Sequence, residues 1–183
     1  MREGELLDII DDHNQVIGYA PKADVYRLRL SHRVVHTLVV DPSGRLCVIK
    51  RARQTSDSPS DYFYSSPAAG HVRAGEPVEQ AALRELEHQT GLKGPIAHVA
   101  GFDFKHSFTI RIELFLKILR PAVDKINLNV SEFSPGQFYS SQELSALAGP
   151  IMCPQLERCL YELRCVENHD TVEGGLRRAP GEI

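Results

Sequence analysis

The chain has 183 residues, 42% of them hydrophobic and 25% charged, with a formal net charge of −3. That length holds one domain with a sizeable core. The slightly acidic balance excludes a sequence-independent nucleic-acid surface, and no apolar run approaches the roughly 20 residues that span a bilayer.

In chain order, Leu6 to Ile10 is predicted as a strand, Asp11-Asp12-His13-Asn14 as a turn, and Gln15 to Tyr19 as the returning strand of a hairpin. The start, Met1-Arg2-Glu3-Gly4-Glu5, has no apolar run, so no secretory signal is expected there. Pro21 to Arg29 reads as a short helix. Val34 to Asp41 is rich in β-branched residues and reads as a strand, followed by the turn Pro42-Ser43-Gly44-Arg45 and a strand from Leu46 to Arg51. Gln54 to Ser60 is a polar loop, and Asp61 to Pro67 is extended. Beyond residue 92, strands are expected at Ile96–Phe104, Phe108–Leu119 and Glu132–Tyr139. His106-Ser107 forms a turn and Pro121–Leu128 a loop. Ser140-Ser141-Gln142-Glu143 starts a short helix through Ala148, stopped by Gly149-Pro150, and Cys153 to Val166 is a final amphipathic helix. From about 167 the chain is polar and reads as a loose tail. Cys47, Cys153, Cys159 and Cys165 show no CxxC spacing and read as reduced thiols, which points to a cytoplasmic protein.

Residues 70–92 carry the chemistry. Gly70 and Gly75 allow a tight loop, Pro77 suits a first helical position, and Glu76 and Glu79 complement the helix dipole. Val78, Ala82 and Leu86 form one apolar stripe, and Gly91 ends the helix. Glu85, His88 and Gln89 stand at i, i+3 and i+4, so they can converge on one point, as a metal ion requires.

This stretch resembles the Nudix box, in which glycine, five residues, glutamate, seven residues and Arg-Glu lead to a final glycine and aliphatic residue. The matches are Gly70, Glu76, Arg84-Glu85-Leu86 and Gly91-Leu92 with no insertion. The two glutamates that precede the final glycine in the family are His88 and Gln89 in this chain. The resemblance implies a single-domain α/β fold, an α/β/α sandwich with a mixed sheet; with the elements read above, residues 31–166 form the domain, 1–30 add a hairpin and short helix to it, and 167–183 are a flexible tail. It also implies a divalent cation held by Glu85 and by the positions of His88 and Gln89, with the Gly70 carbonyl nearby. The segments Leu7-Asp8-Ile9-Ile10-Asp11, Val16-Ile17-Gly18-Tyr19-Ala20-Pro21 and Leu30-Ser31-His32-Arg33-Val34-Val35-His36 resemble the subgroup that includes isopentenyl-diphosphate isomerase. In that subgroup, metal ligands fall at the positions of His32 and His71 and on a later strand, where Glu113 stands. Its catalytic cysteine position is Ala69, and a methyl group cannot move a proton. A further metal histidine of the isomerases has only Tyr26 or Val25 near its position.

Each residue carries a plain structural alternative. Glu85 is a hard oxygen donor suited to Mg²⁺ or Mn²⁺, or else an ion-pair partner of Arg84. His88 softens the site toward Mn²⁺, Fe²⁺ or Zn²⁺ over Mg²⁺, or is a helix-surface histidine. Gln89 offers only a neutral carbonyl oxygen. Glu76 braces the loop, and Arg84 positions the helix. His36 is a sheet histidine. Glu113 lies in an apolar strand where a carboxylate needs a reason, either a general-base or metal role or pairing with Arg111, which could instead grip a phosphate. Lys50, Arg51 and Arg53 at a strand end could meet a diphosphate, or are solvated. Glu132 is a weaker candidate base. The reading is a hydrolase of a diphosphate linkage in a small molecule, with Glu85, Glu113 and Arg84 as its catalytic groups. It expects a cytoplasmic protein with no nucleic-acid or membrane partner and a homodimer as an open arrangement. A catalytically inactive binding module is the first alternative, and the isomerase, disfavoured by Ala69, the second.

Overall fold

The computed structural model describes residues 4–50, 64–105, 108–128, 136–147 and 152–176, except for the side chains of 167–176. Its centre is β3 (His32–Val40), which pairs in parallel with β8 (Thr109–Ile118) along its whole length, from His32↔Ile110 to Val40↔Ile118. β8 pairs antiparallel with β7 (Ala97–Lys105). On its other edge β3 meets β1 (Leu6–Ile10), β6 (Ala68–His71) and β4 (Leu46–Lys50), all antiparallel. β1 carries β2 (Val16–Pro21), while β4 carries β5 (Tyr64–Ser65) and β9 (Gln137–Tyr139).

The β1–β2 hairpin closes through Asp11, whose Oδ1 accepts the N–H groups of His13 and Gln15 at 2.9 and 2.8 Å. This Asx-type arrangement is why the Asp-Asp-His-Asn turn forms there. α1 (Lys22–Leu28) follows and buries Val25.

Because side chains alternate along a strand, β3 and β8 feed two separate cores. Val34, Leu38, Ile112 and Leu114 pack against Leu144 of α3 (Ser141–Leu147) and Leu156, Cys159 and Leu160 of α4 (Pro154–Leu176). On the opposite face, Val35 and Phe115 pack against Ala81 and Ala82 of α2 (Val78–Thr90), and Val39 shares a cluster with Leu86. A mixed sheet with helices on both faces is the α/β/α arrangement expected from the sequence.

The differences from the expected elements have local causes. Pro77 is the cap residue of α2, extended at φ −61°, ψ 138°, and the helix begins one residue later. Gly91 ends that helix in the left-handed region, φ 69°, which glycine enters without steric cost. α4 does not stop at Val166; its backbone stays helical to Leu176, where a loose tail was expected. The expected features at 51–63, 106–107, 129–135 and 148–151 lie outside the described residues. Among the described residues no helix is long and apolar enough to cross a membrane.

Candidate active site

The loop between β6 and α2 is fastened to β1. Asp8 accepts the Gly75 N–H with both carboxylate oxygens at 3.2 Å, the Ala74 N–H reaches the Leu6 carbonyl at 2.8 Å, and Arg73 Nε donates to Glu5 at 3.1 Å. Glu76 closes the loop on itself by accepting the Arg73 N–H at 3.0 Å.

Arg84 then ties the loop to the helix. Its Nε and Nη2 donate to the two Glu76 oxygens at 2.7 Å each, Nη2 also reaches the His71 carbonyl at 2.9 Å, and Nη1 donates to Glu85. Burial pushes the Glu76 carboxyl up, but the hydrogen bonds from Arg84 and the Arg73 backbone outweigh it, so Glu76 sits below its ordinary range. The same bond to Glu76, working against burial, raises Arg84.

Glu85 lies flat over β6. A Cβ on Gly70 would stand 2.3 Å from Glu85 Cδ, so only glycine leaves room for the carboxylate there. The second Glu85 oxygen accepts Gln89 Nε2 at 2.7 Å. Gln89 is buried, and the same Nε2 donates to the Ala69 carbonyl at 2.7 Å, while its oxygen accepts the Ala69 N–H at 3.4 Å. His88, expected to share this face, is exposed on α2. Of the convergent trio, only Glu85 and Gln89 meet.

The second expected constellation does not assemble. His32 and His71 do come together: their rings stack at 5.6 Å, Tyr26 and Phe108 pack on His32 at 5.5 and 5.7 Å, and Tyr26 Oη bonds His71 Nε2 at 2.6 Å. Glu113 is on the other side of the sheet. His32 is in register with Ile110, and Val34 with both Ile112 and His71, whereas Val35 is in register with both Glu113 and Gly70. Partners in register share a face, so Glu113 belongs to the α2 face and the histidines to the opposite one. Nor does Glu113 reach Glu85. Its strand is two strand spacings from β6, roughly 10 Å, with Val35 and the Ala81–Ala82 contact between them.

Glu113 has its own partners. Arg111 Nε donates at 3.1 Å, and His98 Nε2 meets it at 2.8 Å. A Cβ on Gly101 would stand 2.6 Å from both Arg111 Nη2 and Glu113 Oε2, so that glycine makes space for the ion pair. Arg111, expected as a phosphate ligand, is thus engaged with Glu113 and with Asp103. Glu113 and His98 border a cleft of about 420 Å³ that Arg33, Val78, Glu79 and Phe115 also line. Lys50 ends β4 with its ammonium 5.4 Å from the Tyr64 ring centre; Arg51 lies outside the described residues.

The histidine cluster is neutral in character. Burial, reinforced by Lys22 and His32, pushes His71 down to about 3, and burial lowers His32 as well. His32 Nδ1 donates to the Leu30 carbonyl at 3.0 Å, and its buried Nε2 has no hydrogen-bond partner among the described residues. By register, Ala69 shares the face of His36, which is also that of His32 and His71. His36 itself is a sheet histidine bonded to Ser66 Oγ at 2.8 Å and Gln155 Oε1 at 3.1 Å.

A resident divalent cation fits this donor set poorly. Among the described residues, no three His, Cys, Asp or Glu side chains gather closely enough to hold one. What remains is one carboxylate, Glu85, with acceptor capacity on each oxygen beyond the bonds from Arg84 and Gln89. That suits a Mg²⁺-like ion which keeps its waters and takes most of its other ligands from substrate phosphates.

Sequence reading missed the Asp8 brace, the Gln89 clamp on Ala69 and the His98–Glu113 contact. Asp8 could have been found, because a carboxylate inside an apolar strand needs a partner. The other two depend on register between distant segments.

Residues 30–155 match the NUDIX domain family model, and the chain belongs to that family. An uncharacterized Nudix hydrolase of Streptomyces coelicolor is 39% identical over 92 residues, 49% of each chain. Isopentenyl-diphosphate Delta-isomerase 2 of Photorhabdus laumondii is 35% identical over 100 residues, 55% of each. The match thus spans about half the length of these two relatives. An uncharacterized Nudix hydrolase of a Nostoc species is 30% identical over 125 residues, 68% of this chain and 73% of that one. Among solved structures, a Deinococcus radiodurans protein superposes with a TM-score of 0.70 at 18% identity, covering 87% of this chain and 99% of its own. A MutT NUDIX hydrolase of Burkholderia pseudomallei superposes with a TM-score of 0.57 at 18% identity, covering 73% and 98%. These two likenesses are of fold.

Proposed function

We propose that this chain is a slow hydrolase of a diphosphate linkage in a nucleoside diphosphate derivative or similar small molecule, working with Mg²⁺ or Mn²⁺ that arrives on the substrate. The observation that carries the reading is the Glu85 carboxylate laid over Gly70 at the heart of an intact box frame. A divalent cation, when bound, would polarise a phosphoryl oxygen and lower the pKa of an attacking water. The chain's own part is to hold that charge with Glu85. Arg84 and Gln89 fix the carboxylate from both sides, so it is presented in one orientation. With Gln89 neutral and His88 exposed, the hold on a cation is weak, and slow turnover follows. Zn²⁺ loses its rationale because His88 stays outside the Glu85–Gln89 contact.

The test is hydrolysis of ADP-ribose and a panel of nucleoside diphosphate derivatives with Mg²⁺ or Mn²⁺. Glu85→Gln should cost roughly 100-fold or more in turnover, the scale of losing one group that stabilises transition-state charge. Full activity in Glu85→Gln, or activity indifferent to EDTA, would overturn the reading. The Gln89 clamp favours one second reading, a non-catalytic module that takes up a diphosphate ligand without cleaving it. Uptake of ADP-ribose with no turnover of any panel member would decide for it. Isomerase chemistry is not proposed, since the Ala69 methyl carries no transferable proton.

A further inference from the structure

Gln89 occupies a definite place. Its amide nitrogen stands 2.7 Å from a Glu85 oxygen and 2.7 Å from the Ala69 carbonyl, so it bridges the helix carboxylate and the β6 backbone. Both amide hydrogens are used, and the amide oxygen takes the Ala69 N–H. The opposite amide orientation would set an oxygen against two acceptors, so the network fixes which atom is nitrogen. Two facing acceptors, a carboxylate and a carbonyl, need a multi-donor group or a cation between them, and the Gln89 amide fills that place. We infer that the Gln89 amide is a built-in substitute for a bridging divalent ion, so that the seam between α2 and β6 closes in the resting protein without metal.

The inference concerns the resting chain and needs no turnover. A glutamate at 89 would put a second carboxylate against Glu85 and the Ala69 carbonyl, with the Ala69 N–H as its donor and the nearby Arg84 guanidinium already shared between Glu76 and Glu85. Like charges that close cannot both stay ionised without a counter-ion. Gln89 is thus a positioning residue, acting on Glu85.

The test is thermal unfolding of the full chain in EDTA and in millimolar Mn²⁺, for wild type, Gln89→Glu and Gln89→Leu. Wild type should unfold at the same temperature in both. Gln89→Glu should unfold earlier in EDTA and recover by about 5 °C in Mn²⁺, the shift expected when an ion binds only the folded chain. Gln89→Leu should unfold earlier and not recover, which separates an ion substitute from a plain packing residue. A wild-type shift as large as that of Gln89→Glu, or a Gln89→Glu chain blind to Mn²⁺, overturns the inference. If Gln89→Glu is unfolded in EDTA, folding on Mn²⁺ supports the inference and failure to fold overturns it. A wild type that cleaves nothing yet shows this pattern refutes the proposed hydrolysis and leaves the inference standing.

Discussion

Gly70 and His71 are neighbours on β6 but look into opposite chemistries. On the Gly70 side, Glu76, Arg84, Glu85 and Gln89 form a connected polar network beneath α2. On the His71 side, two imidazoles are packed among Tyr26 and Phe108 and held neutral by burial. The first side keeps a charge available and oriented; the second suppresses charge. A strand's period of two is enough to separate them, so a residue's place next to the box glycine does not by itself put it in the box's site.

The two faces respond differently to pH. The His71 pKa falls from 6.5 in the unfolded chain to about 3 in the fold. Below pH 6.5 the unfolded chain therefore binds a proton that the folded chain refuses. The contribution is fully present above pH 6.5 and is lost as pH falls toward 3. Relative to His71→Gln, wild type should lose up to about 1.4 kcal/mol per pH unit, about 2.5 kcal/mol between pH 6 and 4, in urea unfolding. Parallel pH profiles for the two proteins would show that the imidazole is not held neutral.

Breaking the polar side should cost somewhat less. Arg84→Met removes the guanidinium from Glu76, Glu85 and the His71 carbonyl. The group is about a quarter exposed, with side-chain exposure of 23%, which discounts the full penalty of a buried pair. We expect a loss of about 2 kcal/mol in chemical denaturation. A loss below about 0.5 kcal/mol would mean that solvent, and not Arg84, satisfies these carboxylates. The smallest effect belongs to His88→Ala, which should change stability by less than about 0.5 kcal/mol, as an exposed helix position does, and leave the proposed Mn²⁺-dependent turnover untouched. A lower turnover would return His88 to the ion's ligands.

Much of this was legible in the sequence, and for identifiable reasons. The Val78, Ala82 and Leu86 stripe and the closing Gly91 define α2, because helix period and cap are local signals. The dense β-branched run of β3 and the long β8 are local too. What the sequence does not carry is the face that Glu113 takes. Alternation says that Arg111 and Glu113 share a side, and they do touch, but which side depends on the pairing of Val35 with Glu113 across 78 positions of chain. The spacing of Glu85, His88 and Gln89 permits convergence, yet Ala69, Gly70 and Arg84 decide which of the three side chains turn inward. Tyr26 and Phe108 joined His32 only through tertiary packing.

The most direct measurement is calorimetric titration of the metal-stripped chain with Mn²⁺, alone and with ADP-ribose. A single oriented carboxylate predicts no ion binding tighter than the millimolar range without the diphosphate. It predicts measurable binding with the diphosphate, lost in Glu85→Gln. Tight Mn²⁺ binding to the free chain, or ADP-ribose-dependent binding that survives Glu85→Gln, would contradict the account.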